Sequence, residues 1–173
     1  MQPYRPQTLA EFARQLTTTF APYHPKTVED VTDKGVRGVE FILPNPNQPR
    51  FAVTVQIREA GGVVDRCSLW FGQAEISGYM NPEQVIPTIE EIIAGRVTAL
   101  LRYKNQNAYD NHSPSGMQWL YQFTDDEDDD TAAIAQMTAR LLTTPTLLER
   151  ISGKLIGYFE FFSWEKQWTI ERK

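Results

Sequence analysis

Apolar residues recur along this chain with two different periods, and the switches between them mark out its elements. Leu9, Phe12, Ala13, Leu16 and Phe20 fall at helical spacing. Thr8 precedes them as an N-cap, Glu11 follows three residues on as in a capping box, and Pro22 ends the pattern. From about Val36 the period becomes two. Val39, Phe41 and Leu43 alternate with Glu40 and Ile42, and a second run places Phe51, Val53, Val55 and Ile57 between Ala52, Thr54, Gln56 and Arg58. The stretch Pro44–Pro49 between these runs is too rich in proline for a helix or a central strand. Gly61-Gly62 marks a turn, and Val64–Phe71 reads as a third strand. Three successive strands joined this way favour an antiparallel meander.

Asn81-Pro82-Glu83 carries the signals of a helix start: a cap, a first-turn proline and an acidic residue near the positive end of the helix dipole. Val85, Ile86, Ile89, Ile92 and Ile93 supply the apolar stripe, Pro87 is expected to bend the helix more than break it, and Gly95 stops it. A strand follows at Val97–Tyr103, an exposed loop at 104–116 and a further strand at Met117–Phe123. A helix is expected from about Thr131, with Ile134, Met137, Leu141 and Leu142 inward and Pro145 at its end, then a short helix within Thr144–Ile151. The C-terminal segment is dense in strand formers from Leu155 to Trp168, and a hairpin turning near Ser163–Gln167 is the favoured arrangement. These elements predict an α+β fold. It should hold a largely antiparallel sheet of about six to seven strands, with three main helices packed on it, in a single domain over residues 1–173.

Composition narrows the class. Hydrophobic residues make up 41% of the chain, enough for a buried core in 173 residues. No apolar run approaches the roughly 18–20 residues that cross a bilayer, and the Pro- and Arg-bearing start lacks a signal sequence, so a cytoplasmic location is expected. A single cysteine, Cys67, agrees with a reducing compartment. The net charge is −5, and its distribution is uneven: Asp125, Asp126, Glu127, Asp128, Asp129 and Asp130 form one unbroken acidic run. Without that run the chain carries 17 basic against 16 acidic side chains, so one segment supplies the whole excess. No Lys/Arg cluster appears, which argues against nucleic-acid phosphates as ligands.

The chemistry on offer is sparse. His24 and His112 have no metal-ligand partner at local spacing, and no phosphate-binding glycine loop or nucleophile elbow is present, so neither metal nor cofactor is expected. Cys67 with His112 and Asp110 has the composition of a nucleophile–base–orienting set, but its place within a strand favours a buried, structural cysteine. The acidic run fits a solvated loop that opens a helix, and it also fits a docking surface whose field would speed encounter with a basic partner. Lacking the sharp-turn glycine and closing glutamate, it does not fit an EF-hand loop. Trp164 and Trp168, near the proposed hairpin turn, have two readings: core aromatics or interface anchors.

Ser68-Leu69-Trp70-Phe71-Gly72, the connection Gln73-Ala74-Glu75, the helix end Ile89-Glu90-Glu91-Ile92-Ile93-Ala94-Gly95-Arg96-Val97 and the strand end Arg102-Tyr103 together resemble a pattern of small bacterial proteins of the polymorphic-toxin immunity type. The resemblance implies a cytoplasmic inhibitor that occludes a cognate toxin, and it carries over no catalytic residue. The leading expectation is therefore a non-enzymatic protein-binding domain. Asp125–Asp130, Trp164 and Trp168 are its candidate partner-binding residues, and a basic toxin domain is its candidate partner. Two other readings stand beside it: a small enzyme or ligand-binding protein with a pocket near Asp110 and His112, and a structural homo-oligomer, such as a homodimer, joined through the C-terminal aromatics.

Overall fold

The computed structural model describes residues 7–31, 37–114, 116–121, 157–165 and 167–172. The chain divides into two compact units, residues 1–93 and 94–173, and each is built around one antiparallel sheet.

The first unit opens with α1, Leu9–Thr19. Its capping box forms as the sequence predicts: the Glu11 N–H donates to Thr8 Oγ1 at 3.3 Å, and the Thr8 N–H donates to Glu11 Oε2 at 2.9 Å. Phe12, Leu16 and Phe20 are buried, and Phe20 meets Phe41 of the sheet at 6.3 Å between ring centroids. Each such side chain contributes roughly 1.5–3 kcal/mol by leaving water. Pro22 lies in a short 3₁₀ turn, Ala21–Tyr23.

Five strands follow in meander order: β1 (Lys26–Val31), β2 (Arg37–Leu43), β3 (Val53–Ala60), β4 (Val63–Phe71) and β5 (Ala74–Met80). Phe41, Leu43, Val53, Val55, Ile57, Cys67, Leu69 and Phe71 are buried, and their alternation with half-buried or exposed residues is the period of two read from the sequence. Gly61 and Gly62, at φ 62° and 82°, form the two-residue loop between β3 and β4, a conformation that other residues rarely adopt. In the proline-rich connection Asn45 is buried, and its Oδ1 accepts from the N–H groups of Asn47 and Gln48, both at 3.0 Å. The helix α2, Pro82–Ile93, lies against β4 with Val85, Ile89 and Ile92 buried, and it continues through Pro87.

In the second unit the order is β7-β6-β8-β9, from β6 (Val97–Tyr103), β7 (Gly116–Tyr121), β8 (Gly157–Phe162) and β9 (Gln167–Arg172). Every residue of β6 except Arg102 is buried, as suits a central strand covered on both faces. The C-terminal hairpin forms where expected, with Phe162 opposite Gln167.

The α+β class and the antiparallel pairing follow the sequence reading. Its strand arrangement does not: the described strands lie in sheets of five and four, where one sheet of about six to seven is expected. Two strands account for much of the difference. β1 and β5 are edges, and an edge strand needs no sustained apolar alternation. A short helix, α3 (Gln106–Asp110), also stands in the stretch expected to be loop. The acidic run, the helix from Thr131 and the short helix within Thr144–Ile151 lie outside the described residues.

Candidate functional site

Cys67 faces Ile57 across the β3–β4 ladder and is fully buried. Burial pushes its thiol up to about 12, away from the thiolate that a nucleophile requires. Its place is structural.

Both histidines terminate helices. His24 follows the 3₁₀ turn with φ 53°, and His112 follows α3 with φ 51°, so both are in the left-handed region. At α3 the Ser113 N–H donates to the Ala108 carbonyl at 2.8 Å and the His112 N–H donates to the Tyr109 carbonyl at 2.9 Å. This pair of bonds is a Schellman motif, with His112 at the position that glycine usually fills. Asp110, in the last turn of α3, accepts from Gln106 Nε2 at 2.7 Å, and both Asp110 and His112 are exposed.

The C-terminal hairpin holds a polar cluster that the sequence reading misses. Glu160 of β8 is fully buried. Its Oε2 accepts from the Tyr103 hydroxyl at 2.6 Å, and its Oε1 accepts from Gln167 Nε2, also at 2.6 Å. Tyr109 of α3 stands edge-on to Tyr103, at 5.2 Å between centroids and 89° between planes. The cluster joins three strands and a helix within one unit. A lone glutamate in the apolar run Tyr158–Phe162 is its sequence signal. Trp164, at the hairpin turn, is 3% exposed, so its ring is taken up in the interior and offers little surface to a partner. Trp168 stands opposite Phe161 in the β8–β9 register.

A groove of about 710 Å³ opens in the first unit between the start of α1 and one end of the sheet. Thr8 at the N-cap of α1, Ala13 of α1, Thr27 and Glu29 of β1, Arg37 of β2 and Glu59 of β3 are among the residues that line it, and neither Asp110 nor His112 is. No group of three or more His, Cys, Asp or Glu among the described residues could hold a metal ion. Among those residues, too, no helix is long and apolar enough to cross a membrane.

No family model, curated protein or solved structure matches this chain. The side of the five-stranded sheet away from α1 presents two rows of solvent-accessible positions, Val28–Glu40–Gln56–Ser68 and Lys26–Ile42–Thr54–Trp70–Glu75. The rows mix aliphatic (Val28, Ile42), polar (Thr54, Gln56, Ser68), charged (Lys26, Glu40, Glu75) and aromatic (Trp70) side chains.

Proposed function

We propose that this chain is a cytoplasmic, non-enzymatic protein-binding domain of the immunity type, which associates with a basic partner such as a toxin domain and blocks it by occlusion. One observation carries the reading. The unbroken run Asp125-Asp126-Glu127-Asp128-Asp129-Asp130 supplies all of the chain's excess negative charge. In chain order it lies between β7 and β8. Six consecutive carboxylates on an otherwise balanced protein give a local field suited to steering a cationic partner. The burial of Cys67, which holds its thiol protonated, weighs against a cysteine nucleophile. The resemblance around Ser68–Gly72 and Ile89–Val97 supports the immunity class.

The test is capture from host lysate with the intact chain and with a variant carrying Asn at each aspartate of the run and Gln at Glu127. A basic partner retained by the intact chain at low salt, and lost both at moderate salt and in the variant, is the expected result. Equal capture by both chains at both salts would remove the acidic run from the interface.

A second reading, small-ligand binding, rests on the groove beside α1, whose volume is within the range of roughly 300–1,000 Å³ usual for ligand pockets. It predicts saturable binding of a small polar ligand, read by calorimetry, which Arg37→Ala and Glu59→Ala each weaken.

A further inference from the structure

We propose that two copies of this chain associate edge to edge through β1, joining their five-stranded sheets across a twofold axis at Val28. β1 is one edge of its sheet, so among the described strands it pairs only with β2. Val28 is 50% exposed in the middle of that edge, one of only three large apolar residues exposed among the described residues. Lys26, Thr27 and Glu29 are also exposed. An edge of this kind is a template for another strand.

The sequence of β1, Lys26-Thr27-Val28-Glu29-Asp30-Val31, selects the second strand. Outward-pointing backbone groups recur at every second residue. When a strand pairs antiparallel with its own copy, the residues set opposite each other must therefore share parity. Only two such registers use most of the strand. One centres on Glu29 and sets Glu29 against Glu29, with Val28 against Asp30. The other centres on Val28 and sets Val28 against Val28, Lys26 against Asp30, and Asp30 against Lys26. The first register places like charges directly opposite each other, which is unfavourable, whereas the second places opposite charges there twice and pairs the exposed valines. Pro25 then falls just past the ladder, and its missing N–H limits the pairing to this strand. The edge is self-complementary in one register, as a twofold interface requires.

The proposed ladder is built from β1 residues alone, so its test is separate from that of the proposed binding function. Sedimentation equilibrium on the full chain tests it. The intact chain should be a dimer. Val28→Lys, Lys26→Asp and Asp30→Lys should each raise its dissociation constant about tenfold or more. Lys26→Asp and Asp30→Lys place like charges opposite each other when each is alone, but a mixture of the two single variants restores both opposite pairs and should form a heterodimer. The double variant should likewise regain the dimer. Lys26 and Val28 are exposed, and unchanged circular dichroism would show that each variant is folded. A monomeric intact chain would overturn the proposal, leaving the edge to a different partner strand. A dimer indifferent to all three substitutions would overturn it equally.

Discussion

Cys67 sits opposite Ile57 in the β3–β4 ladder, and its environment has a consequence for stability as well as for chemistry. Its thiol is raised from 9.0 to about 12 by burial alone, so the folded chain keeps a proton that the unfolded chain releases. Between about pH 9 and 12 the unfolded state therefore binds fewer protons, and stability falls as pH rises, by up to about 1.4 kcal/mol per pH unit from this group. Cys67→Ala removes that dependence. The stability difference between the intact chain and Cys67→Ala, measured by urea unfolding, should be constant below pH 8 and shrink steadily above 9. In the native protein a thiol reagent at neutral pH should leave Cys67 unmodified. His112 is the matching case for the backbone. Its left-handed conformation costs a side-chain-bearing residue roughly 1 kcal/mol that glycine avoids. His112→Gly should consequently be more stable than His112→Ala by about 1 kcal/mol in thermal or urea unfolding, since both lose the imidazole and only one keeps the backbone penalty. The burial of Cys67 was legible in the sequence, because Val64 and Leu69 flank it in an apolar strand. The conformation of the histidines was not, since a left-handed residue is usually read from glycine or asparagine.

Among the elements, legibility followed burial. β2, β3 and β4 alternate clearly because one side of each is sealed against the core, and β6 reads as a continuous apolar run because both sides are. β1 carries no such alternation: its residues Lys26–Glu29 are all exposed, so solvent on both faces erases the pattern. In β5 the paired register with β4 shifts between Cys67 and Leu69 and again between Leu69 and Trp70, which breaks the period of two. α3 is short, and its signal is the cap: the Asn105 side chain accepts from the Ala108 N–H at 2.9 Å. The clearest energetic claim at this scale concerns the polar cluster that ties β6, β8 and β9 together. Tyr103→Phe deletes one of the donors to a fully buried carboxyl group and should cost about 1–3 kcal/mol in unfolding free energy. Combined with Glu160→Gln, its cost should be smaller than in the intact background, because the two side chains act as a pair. Additive costs would show that the 2.6 Å contact carries no coupling.

For the molecule as a whole, local patterning established the class and left the assembly open. The β2–β3–β4 run and the C-terminal hairpin could be read from their own residues, yet nothing in a period of two says where one sheet ends and the next begins. The division into sheets of five and four strands depends on which edges remain unpaired, a property of the whole chain. The candidate site behaved similarly. Of the residues chosen for their chemistry, Cys67 is buried in the core and His24 and His112 stand exposed at helix ends, whereas the buried Glu160 cluster arises from strands brought together by the fold. The acidic run is different in kind: its charge is a fact of the sequence, and the proposed function depends on what that charge attracts. Steering of this type acts on the rate of encounter and is weakened by salt, since screening shortens its reach to about 8 Å at physiological ionic strength. The most direct test is the association rate of the captured partner with the purified chain across a range of ionic strength, beside the variant neutralised at Asp125–Asp130. A rate that falls steeply with salt for the intact chain, and that is slow and nearly salt-independent for the variant, is the predicted result. Equal rates with equal salt dependence in the two chains would contradict it.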